Sequence, residues 1–214
     1  MTLDHGARIV TSGLQLLVDA ANSRSYSGTG STWTDLSGNA KHVTLLNTPT
    51  WNSLGAASYF QFNNGVSNQS ATTTLNLGTA YTVSMTSLLL SNSSSFHTYW
   101  KSQSNLYPGA FATTNLSYFA TNTSGDSIYT SPPNTSVIYD YSWTYDSTTA
   151  TIYKNGILQK SGTSSGSTAT GLEFASNAFA TTPINLYRIS IYNRALNATE
   201  VQTNFNAIRG RYGL

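Results

Sequence analysis

Short segments in which large apolar side chains alternate with small polar ones recur along the whole chain, each closed off by Gly, Asn, Ser or Pro. They fall at Arg8 to Thr11, Leu14 to Val18, His42 to Leu46, Ser58 to Phe62, Thr72 to Leu77, Tyr81 to Leu90, Thr98 to Lys101, Leu116 to Ala120, Ser136 to Tyr145, Ala150 to Lys154 and Ile184 to Tyr192. In an extended chain successive side chains point to opposite faces, so a period of two marks a strand with one face toward a core. About a dozen such segments separated by turn residues predict an antiparallel β-sandwich or barrel. The alternation is sharpest in Tyr139, Tyr141, Trp143 and Tyr145, and in Leu186 or Tyr187 with Ile189 and Ile191. Asn155-Gly156 separates Ala150 to Lys154 from Ile157 to Lys160. It predicts a two-residue hairpin, because a type I′ turn needs positive φ at both central residues.

One segment has a different period. Asn197 and Glu200 stand at capping-box spacing, and Val201, Phe205 and Ile208 then share one helical stripe, which predicts a helix over 198–209. The low-complexity segment Gly162 to Gly171 reads as a long loop. The expected organisation is an N-terminal arm with a first strand over 1–12, then one sandwich domain including the helix over 13–214.

The 214 residues include 31 Ser, 32 Thr and 20 Asn but only 8% charged side chains, where an average soluble domain has about a quarter. The surface is therefore polar with little charge. Fourteen Tyr, eight Phe and four Trp supply the apolar area for a core, and at this size no disulfide or metal is needed to hold it. The absence of cysteine excludes a disulfide framework, a thiol nucleophile and a Cys zinc site. A net charge of +2 from scattered bases lacks the clustered stripe of a nucleic-acid binder. The apolar run Leu88 to Leu90 is far short of the ~20 residues that span a membrane. Met1 to Ser12 holds Asp4, His5 and Arg8 where a signal peptide is apolar, so synthesis in the cytoplasm is expected.

Few residues invite chemistry. Gly162-Thr163-Ser164-Ser165-Gly166 matches the nucleophile-elbow pattern, yet that elbow needs a strand entering and a helix leaving. The three histidines, His5, His42 and His97, have no metal-ligand spacing and read as surface or turn residues. Asp140, Asp146 and Glu173 are solitary, whereas a glycosidase needs two carboxylates across one cleft. Asp19 and Asp35 stand in oxygen-rich turns and are the candidates for calcium; the competing reading of Asp35 is an Asx-turn. Trp33, Trp51, Tyr99, Trp100 and Tyr107, near loops or strand ends, are the candidate sugar-stacking aromatics. No cofactor is expected.

The two ends of the chain carry a resemblance. Ile9-Val10-Thr11-Ser12-Gly13-Leu14, Leu17-Val18-Asp19-Ala20-Ala21-Asn22, Ser25-Tyr26, Trp33 and Asp35-Leu36-Ser37-Gly38-Asn39 resemble the start of concanavalin-like/laminin-G-like jelly-roll proteins of tailed-phage virions. Tyr187-Arg188-Ile189, Ile191-Tyr192-Asn193-Arg194-Ala195-Leu196 and Asn204 to Leu214 resemble that group's closing strand and C-terminal helix. The resemblance implies an all-β, two-sheet antiparallel jelly roll with a short C-terminal α-helix, and not an enzyme. It implies a virion structural protein at the particle surface: a capsid decoration protein that contacts major capsid subunits, as a homo-oligomer, with a trimer expected. Thr2, Leu3, Asp4, His5, Arg8, Arg209 and Arg211 are then the expected shell contacts. At Phe62-Asn63-Asn64-Gly65 the chain lacks the Asp-rich turn of laminin-G-like relatives, which argues against calcium. The alternative is a carbohydrate-binding, adhesive module on a tail or head fibre.

Overall fold

The alternation at 139–145 forms a strand that turns Tyr141, Trp143 and Tyr145 into a core, where all three are buried. The structure, a computed structural model, describes residues 8–63, 65, 68–91, 97–104, 107–113, 115–121, 127–135, 137–166, 168–176 and 183–214. In chain order the strands are β1 (Leu14–Asp19), β2 (Thr32–Trp33), β3 (Val43–Leu46), β4 (Thr50–Asn52), β5 (Tyr59–Phe62), β6 (Ser70–Thr73), β7 (Tyr81–Leu89) and β8 (His97–Ser102). They continue as β9 (Gly109–Ala112), β10 (Ser117–Ala120), β11 (Ser127–Thr130), β12 (Tyr139–Tyr145), β13 (Thr149–Lys154), β14 (Ile157–Thr163), β15 (Leu172–Phe174) and β16 (Ile184–Tyr192). A 3₁₀ turn at Gly55–Ala57 precedes β5, and helix α1 (Ala198–Tyr212) follows β16.

The strands form two antiparallel eight-stranded sheets. One runs β14-β13-β12-β7-β16-β5-β4, with β1 also on β16; the other runs β11-β10-β9-β8-β15-β6-β3-β2. This is the predicted all-β two-sheet sandwich with a C-terminal helix. Between the sheets lies one aromatic-rich core in which Trp33, Phe60, Tyr81, Trp100, Phe119, Trp143 and Phe174 are all but inaccessible. The Asn155-Gly156 hairpin forms as predicted, with φ of 51° and 75°, and the Asn155 side chain accepts from Asp140 N at 2.9 Å.

The outer face of the first sheet is also buried, but it is built of hydroxyls. Register places Asp140, Thr86 and Arg188 in one cross-strand row, Ser142, Ser84 and Ser190 in the next, and Thr144, Thr82 and Tyr192 in a third. All nine are buried. Ser84 and Ser142 hydroxyls bond at 2.7 Å, and Thr82 Oγ1 accepts from Leu196 N at 2.8 Å. Helix α1 buries Val201, Asn204, Phe205, Ile208 and Tyr212, the stripe predicted from the sequence with one further turn. Val201 joins Tyr153, Tyr192 and Leu196, while Ile208 and Tyr212 join Tyr187. The capping box is complete, Asn197 accepting from Glu200 N and Glu200 from Asn197 N, each at 3.0 Å. Arg194 grips the same Glu200 with two bonds of 2.8 and 2.6 Å. Asn197→Ala is expected to lower the unfolding free energy by about 1 kcal/mol in a urea titration.

Three expectations are corrected. Residues 8–11 form no strand, because Val10 N donates to the Asn204 side chain at 2.8 Å and Val10 O accepts from Tyr192 OH at 3.0 Å, which replaces a ladder with side-chain partners. The helix runs to Tyr212 rather than 209, and ends where Gly213 takes the left-handed conformation. Gly162 to Gly171 is not all loop, since β14 continues to Thr163 and Ala169 bridges Leu77. No helix of the described residues is long and apolar enough to cross a membrane.

Candidate functional site

The segment after β1 folds back tightly on itself. Asn22 N reaches Asp19 O at 3.1 Å, Tyr26 N reaches Asn22 O at 2.9 Å, and Ser25 Oγ donates to Thr34 O at 2.6 Å. This presents Tyr26 beside Trp51 of edge strand β4, with ring centroids 5.6 Å apart and planes at 60°. Gly28 crosses the Trp51 ring at φ +101°, a backbone that a side-chain-bearing residue rarely adopts. Trp51 Nε1 donates to Ala20 O at 3.1 Å, and Tyr26 OH donates to Gly30 O at 3.0 Å. The indole is thereby fixed in orientation and only part-buried.

Around this ring lies a depression of about 230 Å³, walled by Ser23, Ser27, Ser53, Ser58 and Tyr26. It shares Ala21 and Ser23 with a second depression of about 390 Å³ that reaches Asp19, Asn22, Ala56 and Arg211. It shares Tyr26 with a third of about 360 Å³ bounded by Gly30, Ser31, Leu45, Thr48 and Pro49. The only charged side chains lining the three are Asp19 and Arg211, and they neutralise each other in a bidentate pair at 2.5 and 2.9 Å. The surface is thus one aromatic ring pair set in hydroxyls, with no net charge.

The other sequence candidates are placed elsewhere. Trp33, Tyr99 and Trp100 are core residues at 0%, 2% and 0% exposure, which corrects their reading as glycan contacts: the large rings fill the sandwich interior. Tyr107 is half-buried against Phe111 and lines none of the three depressions. Asp35 forms the Asx-turn, with both carboxylate oxygens engaged by hydrogen bonds of the protein itself. Its Oδ1 accepts from Leu17 N and Ser37 N at 2.9 and 2.8 Å, its Oδ2 from Ser37 Oγ and Lys41 N at 2.7 and 3.1 Å. Burial would raise its pKa, but these hydrogen bonds outweigh it and hold the carboxyl below the ordinary range. Asp19 is likewise engaged by Arg211 and by Ala21 N at 3.0 Å. Among the described residues no three His, Asp or Glu gather to hold a metal ion.

Arg211 and Arg209 belong to α1, and the Arg211 guanidinium is occupied internally, which corrects its reading as an extended shell contact. Arg8 and Arg209 are exposed; Thr2, Leu3, Asp4 and His5 lie outside the described residues. His97 is buried in β8 rather than at the surface, while His42 is an exposed turn residue that accepts from Asp35 N at 3.2 Å. The Gly162-Thr163-Ser164 elbow pattern lies at the end of β14 with Ser164 buried against Thr121 and no helix leaving. Glu173 pairs with Lys101 across β15 and β8 at 2.8 Å, while Asp140 is buried on the other sheet, so they share no cleft. Tyr26 and the surrounding serines were missed as site residues; in a chain with 31 serines no spacing distinguishes those four.

No protein-family model matches this chain, and no curated protein does. Solved structures do. The binding domain of Paraclostridial Mosquitocidal Protein 1 superposes at a TM-score of 0.71 with 15% identity, over 91% of this chain and 52% of that one. The likeness is one of fold. The binding domain of botulinum neurotoxin DC, solved in complex with SialylT, gives 0.71, 14%, 92% and 52% by the same measures. The botulinum neurotoxin type G receptor binding domain gives 0.68, 17%, 91% and 51%. This chain therefore spans about half the length of the domains it resembles.

Proposed function

We propose that the protein is a carbohydrate-binding, adhesive module whose recognition surface is the Trp51–Tyr26 depression with its two neighbours. The observation that carries this reading is the oriented, part-exposed indole in an uncharged rim of hydroxyls. A pyranose presents C–H faces to an aromatic ring and hydroxyls at its edges, and such a rim can meet both without desolvating an ion. The fold likeness supports the class of partner: one similar domain was solved with SialylT, and another similar structure is of botulinum neurotoxin type C, whose cell entry is dependent upon interaction with two ganglioside molecules. It favours this reading over capsid decoration. From the sequence resemblance, the module would be carried on a tail or head fibre of a phage particle.

The test is a glycan array probed with the full chain, followed by titration of the strongest ligand. Trp51→Ala, checked for folding by circular dichroism, is expected to weaken that ligand by about tenfold or more, the equivalent of ~1.4 kcal/mol. An array without binders, or an unchanged affinity in Trp51→Ala, overturns the assignment. Immunogold label confined to fibre tips is the expected location; label over a whole head restores decoration.

A further inference from the structure

We infer that Arg211, in the last turn of α1, is a positioning residue that clasps both walls of the Trp51 depression, so that the C-terminal helix sets the shape of the site. The inference deepens the carbohydrate-binding reading and rests on it for the ligand, though the clasp itself is independent of any ligand.

One wall is the segment after β1. Arg211 Nη1 and Nη2 bond the two oxygens of Asp19 at 2.5 and 2.9 Å, and Asp19 Oδ1 in turn accepts from Ala21 N at 3.0 Å. The neighbouring Ala20 O holds the Trp51 indole N–H. A chain of three hydrogen bonds with one peptide between them thus leads from the helix to the ring. The other wall is the 3₁₀ turn, whose Gly55 and following Ser58 line the depression. Arg211 Nε and Nη2 both donate to Ala56 O, at 3.2 and 3.0 Å.

The turn joins the paired ends of β4 and β5, where Asn52 lies opposite Tyr59, and between those anchors little else holds it. The turn buries no residue, and its own backbone bonds, Ala57 N to Leu54 O and Ser58 N to Gly55 O, are each 3.3 Å long. The Ser58 hydroxyl bonds Gly55 O and Leu54 N, which closes the turn on itself without tying it to the sandwich. Besides Arg211, the turn has the packing of Ala57 on the cluster of Tyr187 and Tyr212. Only a planar fork of N–H donors can hold a carboxylate side-on while reaching a carbonyl on the far wall; an ammonium group is a single point.

The four tryptophans provide the readout. Trp33, Trp100 and Trp143 are 0%, 0% and 1% exposed, whereas Trp51 is part-buried in the wall itself. In the ¹⁵N-labelled full chain, hydrogen exchange at the four indole N–H groups is compared between wild type, Arg211→Lys and Arg211→Gln, with Arg209→Gln as control. The expected result is a displaced Trp51 resonance and an indole exchange rate raised on the order of tenfold in both Arg211 variants. The other three indoles and the Arg209→Gln control stay as in wild type. Four unchanged indoles, or four accelerated together as stability falls, overturn the clasp and leave Arg211 a purely structural residue. Should Arg211→Gln fail to fold, Asp19→Asn, which weakens the same pair from the other side, is read by the same criterion. An array with no glycan binder removes the functional reading but leaves the indole result intact; with a binder in hand, Arg211→Lys is expected to weaken it several-fold.

Discussion

Replacing Phe205 with alanine is expected to lower the unfolding free energy by about 3–5 kcal/mol, the cost of emptying a packed aromatic site. Phe205 is 6% exposed and lies midway along the buried stripe of α1, between the cluster at Val201 and the cluster at Ile208. It is buried beside Asn204, whose side-chain amide donates to Tyr192 OH of β16 at 3.0 Å, so the middle of the helix is held to the sheet there. Guanidinium titration of the variant measures the loss, and a value below about 0.5 kcal/mol would mean that the helix face is not packed.

The second large effect comes from the charged row under the same helix. Asp140 and Arg188 are 3% and 4% exposed on β12 and β16, separated by Thr86 of β7, whose hydroxyl donates to Asp140 at 2.8 Å. Burial pushes the Asp140 pKa up to about 6, against the opposing pull of the Arg188 charge and the Thr86 hydrogen bond. In the unfolded chain the same carboxyl titrates near 4. Between those values the folded protein keeps a proton that the unfolded chain has lost, so this group's contribution falls as pH rises through the window and is fully present below it. Arg188→Met removes the compensating cation and moves the carboxyl further up. The variant is expected to lose about 3–5 kcal/mol at pH 8, where Asp140 is left as an uncompensated buried charge. The loss should shrink steadily on acidification toward pH 5. Adding Asp140→Asn should abolish that pH dependence, because a neutral amide has no proton to exchange. A loss in Arg188→Met that is the same at pH 5 and pH 8 would rule out the coupling.

The strands that could be read from the sequence were those with one apolar face. Ile184 to Tyr192 was delimited to the residue, and Tyr139 to Tyr145 differs only at its N-terminal edge, since bulky residues at every second position leave one geometric solution. Strands β2, β4, β9 and β11 fall outside the predicted segments because none of them repeats a large apolar side chain at every second position. The outer face of the first sheet was legible only as polar positions, since Thr82, Ser84 and Ser142 are buried hydroxyls that look like surface in a sequence. The site was less legible still. Residue type and a place near loops or strand ends single out Trp51, but they single out equally three aromatics that the core absorbs. Arg211 pairs with Asp19 across 192 positions, a separation at which local pattern carries no information.

Strand β16 is the centre of the first sheet, hydrogen-bonded to β7 along one side and to β5 and β1 along the other, yet it begins at residue 184 of 214. During synthesis, three earlier strands must therefore wait for a partner that emerges after the other fifteen strands. Such distant pairings close large loops before they are rewarded, which puts folding in the slow regime of milliseconds to seconds for β-sandwiches. Any fragment that stops short of residue 184 leaves three ladder edges unsatisfied, and those edges are where non-native association would begin.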